Sequence, residues 1–198
     1  SVGGNTDNNS TFSGLISFSQ PFTIAQVFTS GANTLTISGG ITGGLAGSKT
    51  VTFDNDGAAI VNTVAISNGT GTTLVRKTNN GVLTMNFANT YTGGTTINAG
   101  GVKLSNVAGL GAAGQVVTIN GGGLILATDA TVNAYNVVVG GSSSIFSDRA
   151  TVGGGITHTL GTLSIGNSTL LSYVGISGNV NNATAGLTFG TTTFTAAT

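Results

Sequence analysis

The residues able to transfer protons or hold a metal are few. Asp129, Asp148 and the adjacent Arg149 form the one group that resembles the acidic cluster of a polysaccharide-cleaving enzyme. Such an enzyme sets two carboxyl groups about a glycosidic bond. Five acidic side chains in 198 residues are a sparse supply for that chemistry. No catalytic residue is assigned, and the chain is not read as an enzyme. Asp54-Asn55-Asp56-Gly57 resembles half of a calcium loop. Calcium takes six to eight oxygens, including a late carboxylate. Position 12 counted from Asp54 is Ala65, so the loop is read as a corner turn. No metal and no cofactor is expected.

The other polar signals read as surface. His158 is the single histidine, and Thr157 and Thr159 flank it, so it is expected to face outward from a strand. Arg76 and Lys77 are expected at a solvated strand edge or corner. Thr-x-Thr pairs at Thr34/Thr36, Thr50/Thr52 and Thr157/Thr159 would bind ice if they stacked into a flat ladder. Alternating Thr is also what any solvent-facing strand shows. Asn-x-Ser/Thr sequons at Asn8, Asn9, Asn68, Asn167 and Asn182 are read as turns.

The elements that position these residues follow from composition. Charged residues make up 5% of the chain and net charge is zero. Nucleic acid and anionic lipid both need clustered Lys and Arg, so neither is an expected partner. Low surface charge favours association. The chain has 34 Gly, a single Pro at Pro21 and no Cys, so no disulfide forms. Thr, Val and Ile favour strands, whereas Gly, Asn and Asp favour turns. No stretch approaches the ~18 apolar residues of a membrane-spanning helix, and no membrane insertion is expected. The chain opens Ser1-Val2-Gly3-Gly4, which suggests a removed leader or a segment of something longer.

No helix is predicted, because apolar residues do not recur at helical spacing. Strands are predicted over 12–18, 22–28, 34–37, 50–53, 60–66 and 82–85. The stretches 95–104, 117–126 and 137–146 each read as strand, Gly-rich corner and second strand. Ile97, Ile119 and Val139 hold the same place in each. Their spacing sets a period of about 20–22 residues, which matches one coil of a parallel β-helix. Weaker copies fall at 36–41 and 164–171. A leucine-rich repeat has a similar period, but its Leu-x-x-Leu-x-Leu pattern is missing. Gly-rich corners are expected near 100, 122 and 141, where a sharp bend needs positive φ.

The stretch 73–106 is the most specific. Its core runs Asn89-Thr90-Tyr91-Thr92-Gly93-Gly94-Thr95-Thr96-Ile97-Asn98-Ala99-Gly100. This resembles the autotransporter passenger-associated β-helix repeat. Leu74 to Gly81 resembles the family's lead-in, with Asn79 and Asn80 at glycine-type positions. The structural repeat core is assigned to Asn89, Thr90, Tyr91, Gly93, Gly94, Ile97, Gly100, Leu104, Ile119, Leu124, Leu126 and Val139. The resemblance implies a right-handed single-stranded parallel β-helix from a large exported bacterial protein. It implies scaffold and carries over no catalytic residue.

The expectation is one all-β domain over 1–198: a β-solenoid of roughly nine rungs of about 20–22 residues. Residues 1–11 are a polar N-terminal segment, and 73–127 is the clearest repeat region. A stack of that size is about 40 Å long. No cap is evident at either end; residues 187–189 and 192–195 look like strand that continues. The primary expectation is a structural extracellular protein that stacks head to tail into a filament, sheath or matrix. The alternative is the passenger or stalk of a cell-surface adhesin.

Overall fold

The computed structural model describes residues 2–5, 9–27, 33–57, 59–166, 170–174, 179–181 and 184–195. Phe28 and the sequons at Asn8, Asn167 and Asn182 lie outside them. Among the described residues there are 22 strands and no helix.

Most strands fall into two long sheets. The first has nine strands: β1 (Val2–Asn5), β4 (Phe22–Val27), β7 (Ser48–Asn55), β10 (Thr72–Thr78), β12 (Thr95–Ile97), β14 (Val116–Ile119), β16 (Asn136–Val139), β19 (Leu163–Ile165) and β22 (Thr192–Phe194). The second has eight: β2 (Ser10–Phe12), β5 (Thr34–Ile37), β8 (Ala59–Asn62), β11 (Val82–Met85), β13 (Gly101–Leu104), β15 (Gly122–Ala127), β17 (Ser143–Asp148) and β20 (Leu170–Val174). A short third sheet joins β3 (Ile16–Phe18), β6 (Ile41–Gly43) and β9 (Ile66–Ser67), and β18 (Thr157–Thr159) pairs with β21 (Gly186–Thr188).

Pairing defines the fold. Consecutive strands do not pair. Each strand bonds in parallel to the one a coil later, as in β12 on β14 and β14 on β16. A chain that pairs only with its own next coil is a β-solenoid.

Period-2 alternation decides what faces in. In the first sheet Ile24, Phe53, Lys77, Ile97, Ile119 and Val139 follow one another in register and are buried. In the second, Leu35, Ile60, Leu83, Val102, Leu124 and Ile145 form a fully buried column, and Leu104 and Leu126 lie in another.

The coils are not uniform. Ile97, Ile119 and Val139 are register partners, so the spacing read from the sequence is one coil there. The steps from Ile24 to Phe53 and from Ile165 to Phe194 are several residues longer. The short period therefore holds only in the middle coils. The early coils carry the third sheet, and the Val139 to Ile165 coil carries β18. The copy at 36–41 is accordingly not equivalent to those at 97, 119 and 139. It turns from the second sheet into the third, whereas Ile165 does pair with Val139. The expected strands 12–18 and 60–66 each break in two, because the chain turns that same corner at 13–15 and 63–65.

Two outward expectations are overturned. Lys77 is fully buried in the inward ladder, because β10 is an inner strand whose alternation leaves Arg76 outside and Lys77 inside. His158 is also fully buried, with Thr157 and Thr159 exposed around it. The alternation at β18 has the opposite phase to the one assumed.

Candidate ligand groove and the repeat core

Outward-facing strand positions in the second sheet form columns of their own. Val82, Gly101, Gly123 and Ser144 follow one another in register down one column. Thr84, Lys103, Ile125 and Phe146 form the next. Two adjacent strands therefore carry no side chain at one outward position. The gap is an open groove of about 540 Å³. Gly101 and Gly123 floor it, Val82 closes one end, and Ile125 and Phe146 form a wall. Ser142, Ser144 and Asn80 supply polar groups, and no ionisable side chain is among its lining residues. Its size and its apolar lining with a few polar groups match small-ligand sites. Nothing in the sequence separates Gly101 and Gly123 from the corner glycines beside them, so the groove shows only in the fold.

The corners are tight. Gly100 has φ 68° and Gly122 has φ 77°. A Cβ on Gly100 would stand 2.4 Å from the carbonyl oxygens of Asn79 and Gly81. Asn79 takes the same left-handed turn one coil earlier, with φ 59°, and its Nδ2 donates to Asp54 Oδ1 at 2.5 Å. The Asp54–Gly57 run is a corner turn with Gly57 at φ 77°. Gly141, expected as a third such corner, does not have positive φ. Among the described residues no group of three His, Cys, Asp or Glu could hold a metal.

The repeat motif packs the interior beside this corner. Asn89 is buried; its Oδ1 accepts the Ile66 N–H at 2.7 Å and its Nδ2 donates to Gly109 O at 2.6 Å. Tyr91 is buried and shares a hydrogen bond of 2.6 Å with Thr95 Oγ1. Burial pushes its pKa well up, so it stays a neutral phenol. Two coils on, Tyr135 is also buried, and the Leu110 N–H donates to its hydroxyl at 3.1 Å. Its pKa is pushed up to about 12, chiefly by burial. Thr90 is exposed, and its N–H donates to Ile66 O at 2.9 Å. Gly93 N–H donates to Thr73 O at 2.9 Å, and Gly94 O accepts from Val75 N at 3.1 Å.

The candidate acids do not converge. Asp129 is exposed and pairs with Arg149 at 3.2 Å. The Thr151 hydroxyl donates to it at 2.7 Å and, with the Thr151 N–H and Arg149, holds its carboxyl below the usual range. Asp148 is buried, and its Oδ1 accepts the Arg149 N–H at 2.8 Å. Both carboxylates therefore hold local backbone rather than flanking a shared cleft. The Thr-x-Thr pairs stack only in short runs: Thr36 lies on Thr11 and Thr52 on Thr23, with Val61 and Arg76 ending each run on the other side, and Thr159 lies on Thr188. Asn68 is a corner residue whose Oδ1 accepts from Thr73 N and Thr92 N.

The architecture defines the class: a parallel β-solenoid whose coils are locked by buried Asn, Tyr and ladder residues. Within it, residues 75–104 match the passenger-associated-transport-repeat family. The chain therefore carries one such repeat, over residues 75–104. It is similar to the adhesin BmaC autotransporter of Brucella suis biovar 1 (strain 1330), with 38% identity over 96 residues. That stretch is 48% of this chain and 3% of the Brucella protein. No solved structure matches the chain.

Proposed function

We propose that the chain is a segment of the passenger of a bacterial cell-surface adhesin, displayed outside the cell and without catalytic activity of its own. The observation that carries this reading is the repeat itself. The matched residues 75–104 form successive coils of the solenoid, and the similar curated protein is named an autotransporter adhesin. Stacked coils make a stiff rod. Its outward columns accept varied side chains while the inward ladders keep the fold, as the groove over Gly101 and Gly123 illustrates. The test is surface display of the full protein with and without residues 1–198. The expected result is protease-accessible protein in both and weakened adherence when the segment is removed. Unchanged adherence would count against it.

A second reading, head-to-tail association with other copies, is decided by electron microscopy of the purified chain: filaments at neutral pH support it, and uniform monomers remove it.

A further inference from the structure

The glycine at position 101 has no backbone reason to be there. Its φ is not in the left-handed region, unlike that of Gly100 beside it. A Cβ at 101 would meet Val82 Cγ2 at 3.4 Å and Ile125 Cδ1 at 3.6 Å, which is ordinary van der Waals contact. Glycine within a strand weakens it, and it often marks a place where a ligand approaches the backbone. One coil on, Gly123 repeats the omission in register. There a Cβ would stand 2.9 Å from Phe146 Cε2, so the bare floor lets the ring lie against the strand.

The gap is extended along the solenoid axis. Val82 and Ser144 stand three strand steps apart in this column. Each step is about 4.8 Å. The occupant must match an uncharged lining, since no ionisable group is among the lining residues. It must also be amphipathic. Ile125, Val82 and the Phe146 ring present apolar surface. The Ser142 and Ser144 hydroxyls and the Asn80 amide offer donors and acceptors. The groove is open along its length rather than enclosed, which suits a chain-like ligand better than an acyl tail.

We infer that this groove is a subsite for a short neutral saccharide, with the sugar's C–H face on Phe146 and its hydroxyls on Ser142, Ser144 and Asn80. The inference rests on the adhesin reading and supplies its ligand class. Aromatic rings present a negative face to such polarised C–H groups.

The experiment uses the purified chain, with its strand content checked by circular dichroism. Cellotetraose, maltotetraose and chitotetraose are titrated calorimetrically, and a sialylated tetrasaccharide serves as the charged comparison. The expected result is saturable binding of at least one neutral probe over the charged one. Gly101→Val fills the floor where a Cβ has room, and is expected to weaken that binding at least about tenfold, equivalent to about 1.4 kcal/mol. Phe146→Ala removes the stacking wall and is expected to weaken it similarly. Gly154→Ala, at a site with nothing within 4 Å, is expected to leave it unchanged. Absence of binding to every neutral probe, preference for the charged probe, or undiminished binding by folded Gly101→Val would each overturn the inference. Adherence of displaying cells separates the two readings. Adherence that needs the segment but is indifferent to Gly101→Val leaves the adhesin reading standing and removes the saccharide subsite.

Discussion

Lys77 is the register partner of Phe53 in the inward column of the first sheet, and both are fully buried. The ammonium group escapes the apolar column by bending to the corner. Its Nζ donates to Thr78 O at 2.5 Å and to Asn79 O at 2.6 Å. It thereby satisfies carbonyls of the same turn in which Asn79 holds its left-handed conformation.

That placement gives stability a pH dependence. Burial lowers the Lys77 pKa to about 8, against the opposing pull of Asp54 and Asp56, from an ordinary 10.5. Between these values the unfolded chain holds more protons, so stability rises with pH across that window. Below pH 8 both states are charged and the whole burial cost is present. The denaturant midpoint of the wild type should climb from pH 8 to 10.5. The gain in stability over that window is on the order of 3 kcal/mol. Lys77→Met should show no such climb. Parallel curves for the two proteins would refute the assignment.

His158 should act at the acid end. Its Nε2 lies 2.9 Å from Asp148 O. Burial lowers its pKa from 6.5, despite opposing hydrogen bonds to the Asp148 and Leu126 backbone and the Asp148 charge. A buried base with a lowered pKa contributes stability that is lost as pH falls below 6.5. His158→Leu should flatten thermal stability over the mildly acidic range, measured as Tm against pH. A wild-type Tm that does not drop relative to the variant would contradict this.

Asn89 bridges two coils, so its loss strands two buried backbone groups. Asn89→Ala leaves the Ile66 N–H and the Gly109 carbonyl without their partner. Each buried unsatisfied group costs about 1–3 kcal/mol, so urea denaturation should show a loss of about 2–5 kcal/mol. Thr90 has an exposed side chain. Thr90→Ala should therefore cost under about 0.5 kcal/mol. Similar midpoints for the two variants would disprove the bridge.

Neighbouring glycines should respond oppositely. Gly100→Ala forces a Cβ into two carbonyl oxygens at a positive φ, and should cost several kcal/mol or prevent folding. Gly101 has open contacts and a strand conformation. Gly101→Ala should be neutral or stabilising by about 0.5–1 kcal/mol. Equal destabilisation in thermal melts would show that Gly101 is structurally required and would undercut its role as a groove floor.

Much of this was legible because a solenoid writes its fold locally. The step from Ile97 to Ile119 to Val139 became one buried column, since in-register parallel pairing repeats whatever period the sequence holds. Asn79 read as a glycine substitute and does take the left-handed turn. The early coils were less legible. Their apolar runs at 12–18 and 60–66 look like single strands, and only the third sheet shows where they bend.

By itself the sequence determined the strands, the corners and the inward ladders, because alternation and glycine placement act within a coil. It also carried the passenger repeat in Asn89 to Gly100. Tertiary structure decided the phase of alternation wherever an apolar marker was absent. Hence Lys77 and His158 face inward, although each is flanked by polar residues. It likewise decided which outward residues become neighbours. Gly101 and Gly123 lie a full coil apart in sequence and one hydrogen-bonded step apart in space, and the groove exists only because coils of unequal length still bring their strands into register.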